Sequence, residues 1–254
     1  MRSKPGTRLS AVAIAVCSTT LAFAGSASAQ STSDFAGVWE FNGGQVGVVK
    51  NADKSFSGIV IRATKTGACV HPVGEQMWTG VRLAGNLTWT GKHVWFLTNP
   101  CRLAPATGNT AWKIFKNPGG KTFLRGCYAN WALPAIQPVF SVDPANPGVC
   151  DPGQAGALID SDYIPRKKGT FKAIAKFPNG KCLGKKLKLD FVDPPTDALA
   201  TVQVRAGKFK KTLTREKLTL TLKVAKGVGK VKVSVKAKTL LKHSIKGSKT
   251  YSTC

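Results

Sequence analysis

Between Lys217 and Lys238 the chain reads KLTLTLKVAKGVGKVKVSVKAK, and this stretch limits the fold more than any other. Leu218, Leu220, Leu222 and Val224 alternate with Lys217, Thr219, Thr221 and Lys223. After Lys226-Gly-Val-Gly229 the pattern resumes, with Val231, Val233, Val235 and Ala237 set against Lys230, Lys232, Ser234 and Lys236. Successive side chains on a strand point to opposite faces, so each run has one aliphatic and one ammonium-bearing face. Two such runs around a glycine-bearing break predict a hairpin. Its aliphatic face needs covering by a second sheet, which predicts a β-sandwich in the C-terminal half.

The N-terminus has the organisation of a bacterial-type secretory signal over residues 1–29. Arg2, Lys4 and Arg8 precede a small-residue apolar region, and Ala27-Ser28-Ala29 forms an A-x-A cleavage site before Gln30. A lipoprotein signal acylated on Cys17 is the rival, but Val16 is bulky for the residue before the modified cysteine. No later stretch is apolar for long enough to span a bilayer. The expected product is secreted or extracellular, retained at the cell wall if its charge holds it there.

Export gives the cysteines their meaning, because disulfides persist in oxidising compartments. Beyond Cys17 the chain has Cys69, Cys101, Cys127, Cys150, Cys182 and Cys254. Spacing alone leaves the connectivity open. The expected pairs are Cys182 with Cys254, Cys69 with Cys101, and Cys127 with Cys150; the first would tie down the terminal strand. No CxxC pair occurs and the three histidines are scattered, which argues against a zinc site and against any cofactor.

Charge and tryptophan divide the remaining chain. Residues 30–165 carry eleven Lys plus Arg against eight Asp plus Glu, whereas residues 166–254 carry twenty-four against four. All six tryptophans, at 39, 78, 89, 95, 112 and 131, fall in the first part. A Pro-, Gly- and Asp-rich stretch lies between. The expected organisation is a Trp-rich β-barrel-like domain over 30–140, a linker or loop over 141–168, and a Lys-rich β-sandwich over 169–254. Short strands with turn residues between them run through both halves, so the predicted fold class is all-β: a small N-terminal barrel or sandwich, then an immunoglobulin-like β-sandwich.

Gly37-Val-Trp39, followed by a glycine, a strand and Phe56-Ser-Gly58, resembles the opening of calycins, the lipocalin and avidin barrel superfamily. Trp89-Thr-Gly-Lys-His-Val, Trp95-Phe-Leu-Thr and Ala111-Trp112-Lys look like tryptophan-bearing strands of avidin-type barrels. The resemblance covers residues 35–123 and implies a barrel holding one small apolar or sugar-like ligand in an aromatic-lined mouth. Trp78, Trp89, Trp95 and Trp112 are the candidate ligand-binding residues, together with His71 and Glu75. Equally, large aromatics dominate cores, and these tryptophans could simply pack. The C-terminal half resembles the lysine-rich immunoglobulin-like sandwiches of secreted bacterial proteins.

Catalytic patterns are sparse. Nucleophile elbow, HExxH and phosphate loop are all missing from the sequence, so the expectation is a non-enzymatic binding protein. A hydrolase using His71 as base beside Glu75 is one alternative; an inert surface or matrix protein is another. In the basic half Lys217, Lys223, Lys230, Lys232, Lys236 and Lys238 are candidate contacts to an anionic envelope polymer or polysaccharide. Lysine is a diffuse, hydrated charge and aromatics are scarce there, which argues against sequence-specific nucleic-acid binding. The competing role for these lysines is a solvated face that discourages edge-to-edge aggregation.

Overall fold

The computed structural model describes residues 35–254 except 86, 95, 99, 105–106, 117–118, 129–139, 141–149, 151–156, 166, 168, 177–181, 184–185, 224–228 and 254; at 96–98, 157–159, 182–183 and 253 the backbone alone is described. The signal segment, Trp131 and Cys254 therefore lie outside the described residues. Residues 31–254 form one compact unit.

The first half supplies β1 (Gly37–Phe41), β2 (Gly44–Lys50), β3 (Phe56–Arg62), β4 (Thr64–Thr66), β5 (Cys69–His71), β6 (Gln76–Leu83), β7 (Thr88–His93), β8 (Phe96–Thr98), β9 (Cys101–Leu103), β10 (Gly108–Lys116), β11 (Thr122–Tyr128) and β12 (Ala157–Ile164). Eight of these close an antiparallel barrel in the order β1-β12-β11-β10-β7-β6-β3-β2, a meander in which each barrel strand pairs with the next. Asn42 and Gly43 turn β1 into β2 with φ of 45° and 71°, both central residues being left-handed as a tight hairpin demands. The hairpins β4-β5 and β8-β9 are appended between barrel strands, and a disulfide between Cys69 and Cys101 joins them. A second disulfide ties Cys127 of β11 to Cys150.

Part of the stretch expected to be linker is instead structural. Ala157–Ile164 is β12, which pairs with β11 through Phe123↔Asp162 to Tyr128↔Ala157 and with β1 through Trp39↔Tyr163. It closes the barrel, so no edge between β11 and β1 stays open. Its outward carboxylates are matched to cations on or beside β11: Arg125 Nε and Nη2 donate to Asp160 at 2.6 and 2.7 Å, and Lys121 pairs with Asp162 at 2.5 Å. The acidic composition that looked like linker is the outer face of a strand.

Inward alternation fills the barrel. Trp39, Phe41, Val46, Val48, Phe56, Val60, Trp78, Val81, Trp89, Trp112, Ile114, Leu124 and Tyr128 all belong to one buried cluster. Gly58 makes room for Trp78, since a Cβ there would lie 2.6 Å from the indole ring. Gly58→Ala is expected to cost about 1–3 kcal/mol through overpacking, read as a lowered urea midpoint with unchanged slope.

The second half contains α1 (Phe171–Ile174), capped by the Thr170 hydroxyl accepting from Ala173 N, then β13 (Ala175–Lys176), β14 (Cys182–Leu183), β15 (Lys186–Phe191), β16 (Leu199–Ala206), β17 (Phe209–Thr214), β18 (Thr219–Lys223), β19 (Lys230–Thr239) and β20 (Ser244–Thr253). A three-stranded sheet, β13-β15-β18, faces a five-stranded sheet, β14-β20-β19-β16-β17. Leu187, Leu189, Leu220 and Leu222 of the first pack with Val202, Val204, Val233, Val235 and Ala237 of the second in one core. Two sheets packed face to face over this shared core make the second half a β-sandwich.

The hairpin expected over Lys217–Lys238 does not form. β18 pairs with β15, while β19 pairs with β16 and β20. The two alternating runs sit in opposite sheets with their aliphatic sides facing each other across the core. Alternation shows which side of a strand is apolar; it does not say which strand lies beside it.

The halves share a joint. Val38, Val49 and Ile61 on the barrel's outside form a buried cluster with Ala198 and with Leu241, in the turn between β19 and β20. Gly47 admits that turn closely, because a Cβ there would meet Leu241 Cδ2 at 2.5 Å.

Candidate functional site

The barrel brings three of the four candidate tryptophans together. Trp78 and Trp112 lie 5.3 Å apart between ring centroids, and Phe35, at the entry to β1, stacks on Trp89 at 5.3 Å and lies 6.0 Å from Trp112. Trp78, Trp89 and Trp112 are each 0% exposed. Their ring faces are occupied by one another and by Phe35, so a ligand stacking on them would have to displace Phe35. Trp95 lies outside the described residues.

One end of the barrel interior is polar. Trp78 Nε1 donates to His93 Nδ1 at 2.9 Å, which leaves the ring proton on Nε2. His93 also stands edge-on to Tyr128, 4.8 Å between centroids, and Trp112 Nε1 donates to the Tyr128 hydroxyl at 3.4 Å. His71 and Glu75 meet as the sequence suggested, with Nδ1 and Oε2 3.2 Å apart. Thr64 pairs in register with His71. Gln45 Oε1, Thr64 Oγ1 and Glu75 Oε1 are buried without a hydrogen-bond partner among the described residues. Burial pushes His93 down to about 3, with nearby His71 acting the same way. Burial also lowers His71, while the charge and hydrogen bond of Glu75 oppose the shift. Desolvation raises the Tyr128 phenol. All three groups are thus neutral near pH 7, and His71 is 1% exposed. The geometry braces the hairpin of β4 and β5 on the barrel end; an accessible base it is not. Among the described residues, no group of three or more His, Cys, Asp or Glu converges on a point where an ion could bind.

The lysines sort by sheet. Lys223 projects outward from the three-stranded sheet and Lys217 precedes β18, whereas Lys230, Lys232, Lys236 and Lys238 project from the opposite outer surface, on β19. Four of the six candidates therefore share a face. The strands of the five-stranded sheet carry Arg205, Lys210, Lys211, Lys230, Lys232, Lys236, Lys238, Lys246 and Lys249, with no Asp or Glu. Register builds rows across its outside: Arg205 stands opposite Lys210 and Ser234, and Lys236 stands between Gln203 and Lys246. Lys232, Arg205, Lys236 and Lys246 surround a shallow groove of about 570 Å³ floored by Gln203 and Ser234. The three-stranded sheet is different, since Asp190 lies 3.5 Å from Lys188 and accepts from Thr219.

Arg205, Lys210 and Lys246 were not singled out in the sequence. Their strands alternate as β19 does, but only the order β20-β19-β16-β17 places them beside its lysines. Asp197 was also missed. It is 4% exposed, accepts from Leu241 N at 3.1 Å and lies 2.8 Å from His243 Nδ1, holding the turn that meets the barrel. Cys182 pairs in register with Ser252, but the expected Cys182–Cys254 bond lies outside the described residues.

Barrel, sandwich and two disulfides define a class: an all-β protein whose disulfides are compatible with an extracellular compartment, with one strongly cationic sheet and, among the described residues, no helix long and apolar enough to cross a membrane. Neither a protein-family model nor a curated protein matches the chain.

Proposed function

We propose that this is a secreted, non-enzymatic binding protein that associates with anionic envelope polymers through the outer face of its five-stranded sheet. The carrying observation is that seven of the nine cations on the strands of this sheet, all but Lys211 and Lys249, fall in its outward-facing rows, and that those strands carry no carboxylate. Lysines two residues apart on β19 stand about 6.6–6.8 Å from each other, and Lys236 is directly opposite Lys246. Like charges in that position destabilise a strand pair. Solubility alone asks for mixed signs, and a polyanion laid across the rows would relieve the repulsion while releasing counterions. Lysine rather than arginine suits a repeating, loosely matched charge.

The small-ligand half of the reading rests on the barrel's polar end. His93, Tyr128, Gln45 and Thr64 are buried hydrogen-bonding groups in a calycin-compatible barrel, and a compact polar or sugar-like molecule would suit them better than a flat ring stacked on tryptophan.

Titration of the oxidised chain with inorganic polyphosphate, and separately with dextran sulfate, tests the main proposal. Binding is expected to weaken steeply between about 50 and 300 mM salt. Lys236→Glu with Lys246→Glu should weaken it at least about tenfold, whereas Lys186→Glu with Lys188→Glu on the other sheet should change it by no more than about threefold. Equal loss from both pairs would mean that net charge alone attracts the polymer and would overturn the proposal.

A further inference from the structure

Among the described residues, one end of the sandwich has a cavity between its sheets. This cavity, of about 590 Å³, is floored by Leu187 and Leu222 of the three-stranded sheet and walled by Ala206, Phe209 and Val231 of the other. Leu187 and Leu222 are buried core residues, so the cavity reaches the sandwich interior. Phe209, by contrast, is 41% exposed at its mouth. Lys208, Lys223, Lys230 and Lys232 also line it, and among the described residues no carboxylate does. The volume is in the range of small-molecule sites.

We infer that this cleft binds a single-chain anionic amphiphile, its alkyl chain between the sheets and its carboxylate or phosphate head among the rim lysines. Apolar surface in an open cleft gains by leaving water, which calls for a hydrocarbon. Four ammonium groups with no Asp or Glu beside them in the described lining call for an anion, and their flexible stems can follow a head that sits at varying depth. A neutral hydrocarbon would leave the charges unmatched, and a bare polyanion would leave the apolar floor wet. The cleft adjoins the polyanion face and shares Lys232 with it, but Lys208 and Lys223 line only the cleft, whereas Arg205, Lys236 and Lys246 line only the groove.

The test uses the full oxidised chain and dodecyl phosphate below its micelle concentration, followed by calorimetry. The expected result is saturable binding that dodecyl maltoside, the same chain on a neutral head, matches no better than about tenfold more weakly. Ala206→Trp, which fills the cleft, and Phe209→Asp, an exposed change that makes no demand on folding, should each weaken dodecyl phosphate at least about tenfold. Both should change polyphosphate binding by no more than about threefold. Equal affinity for the neutral amphiphile, undiminished binding by both variants, or full displacement by polyphosphate would each overturn the inference. Such a failure would leave the polyanion proposal standing, since Lys236→Glu with Lys246→Glu reads that separately.

Discussion

Acidification from about pH 7 to about pH 4 is expected to remove roughly 3 kcal/mol of stability, a large part of what a domain possesses. The cause is His93. It is 4% exposed and accepts at Nδ1 from the Trp78 indole, so the native state holds it neutral, and burial lowers it to about 3. In the unfolded chain a histidine titrates near 6.5. Between these values the unfolded state binds the extra proton, so the stabilising contribution is complete above about 6.5 and drains away as pH falls toward 3. His71 is lowered as well, chiefly by burial, and acts in the same direction. Urea denaturation followed by tryptophan emission at a series of pH values would measure the loss. His93→Gln keeps an acceptor for Trp78 and does not titrate; it should flatten the profile. A wild-type midpoint unchanged from pH 7 to pH 4 would show that His93 is not buried neutral.

Leu241→Asp should have an effect of similar or greater size, with a different signature. Leu241 is 5% exposed in the cluster with Val38, Val49, Ile61 and Ala198. Its turn is held by Leu240 N donating to Ala198 O at 2.8 Å and by the Asp197 contacts. A carboxylate placed there would be buried without a partner, at a cost above about 4 kcal/mol. Leu241→Ala would lose about 2–4 kcal/mol from the deleted methyls and the residual cavity. Calorimetry of the wild type should give one cooperative transition, and Leu241→Asp should split it into two as barrel and sandwich melt separately. A single, unshifted transition in the variant would show that the joint does not couple them.

Both effects were hidden in the sequence for the same reason. His93 is one polar residue in a run of alternating strand, and only its register with Trp78 shows what it faces. Leu241 follows Thr239 and Leu240 at a strand end, where the sequence offers no sign that a barrel glycine lies opposite.

What the sequence determined by itself was whatever depends on one strand at a time. Period-two alternation is a local property of extended backbone, so the all-β class, the aliphatic core of the sandwich and the tryptophan-rich barrel strands were legible directly. Tertiary structure alone decided the partners. It placed β18 and β19 in opposite sheets, called on Ala157–Ile164 to seal the barrel, turned Trp78, Trp89 and Trp112 inward onto Phe35, and assembled Arg205, Lys210 and Lys246 beside the lysines of β19. Those choices rest on burial and edge closure summed over the whole chain. An alternating strand offers the same apolar side to every neighbour, and only the closed arrangement selects among them.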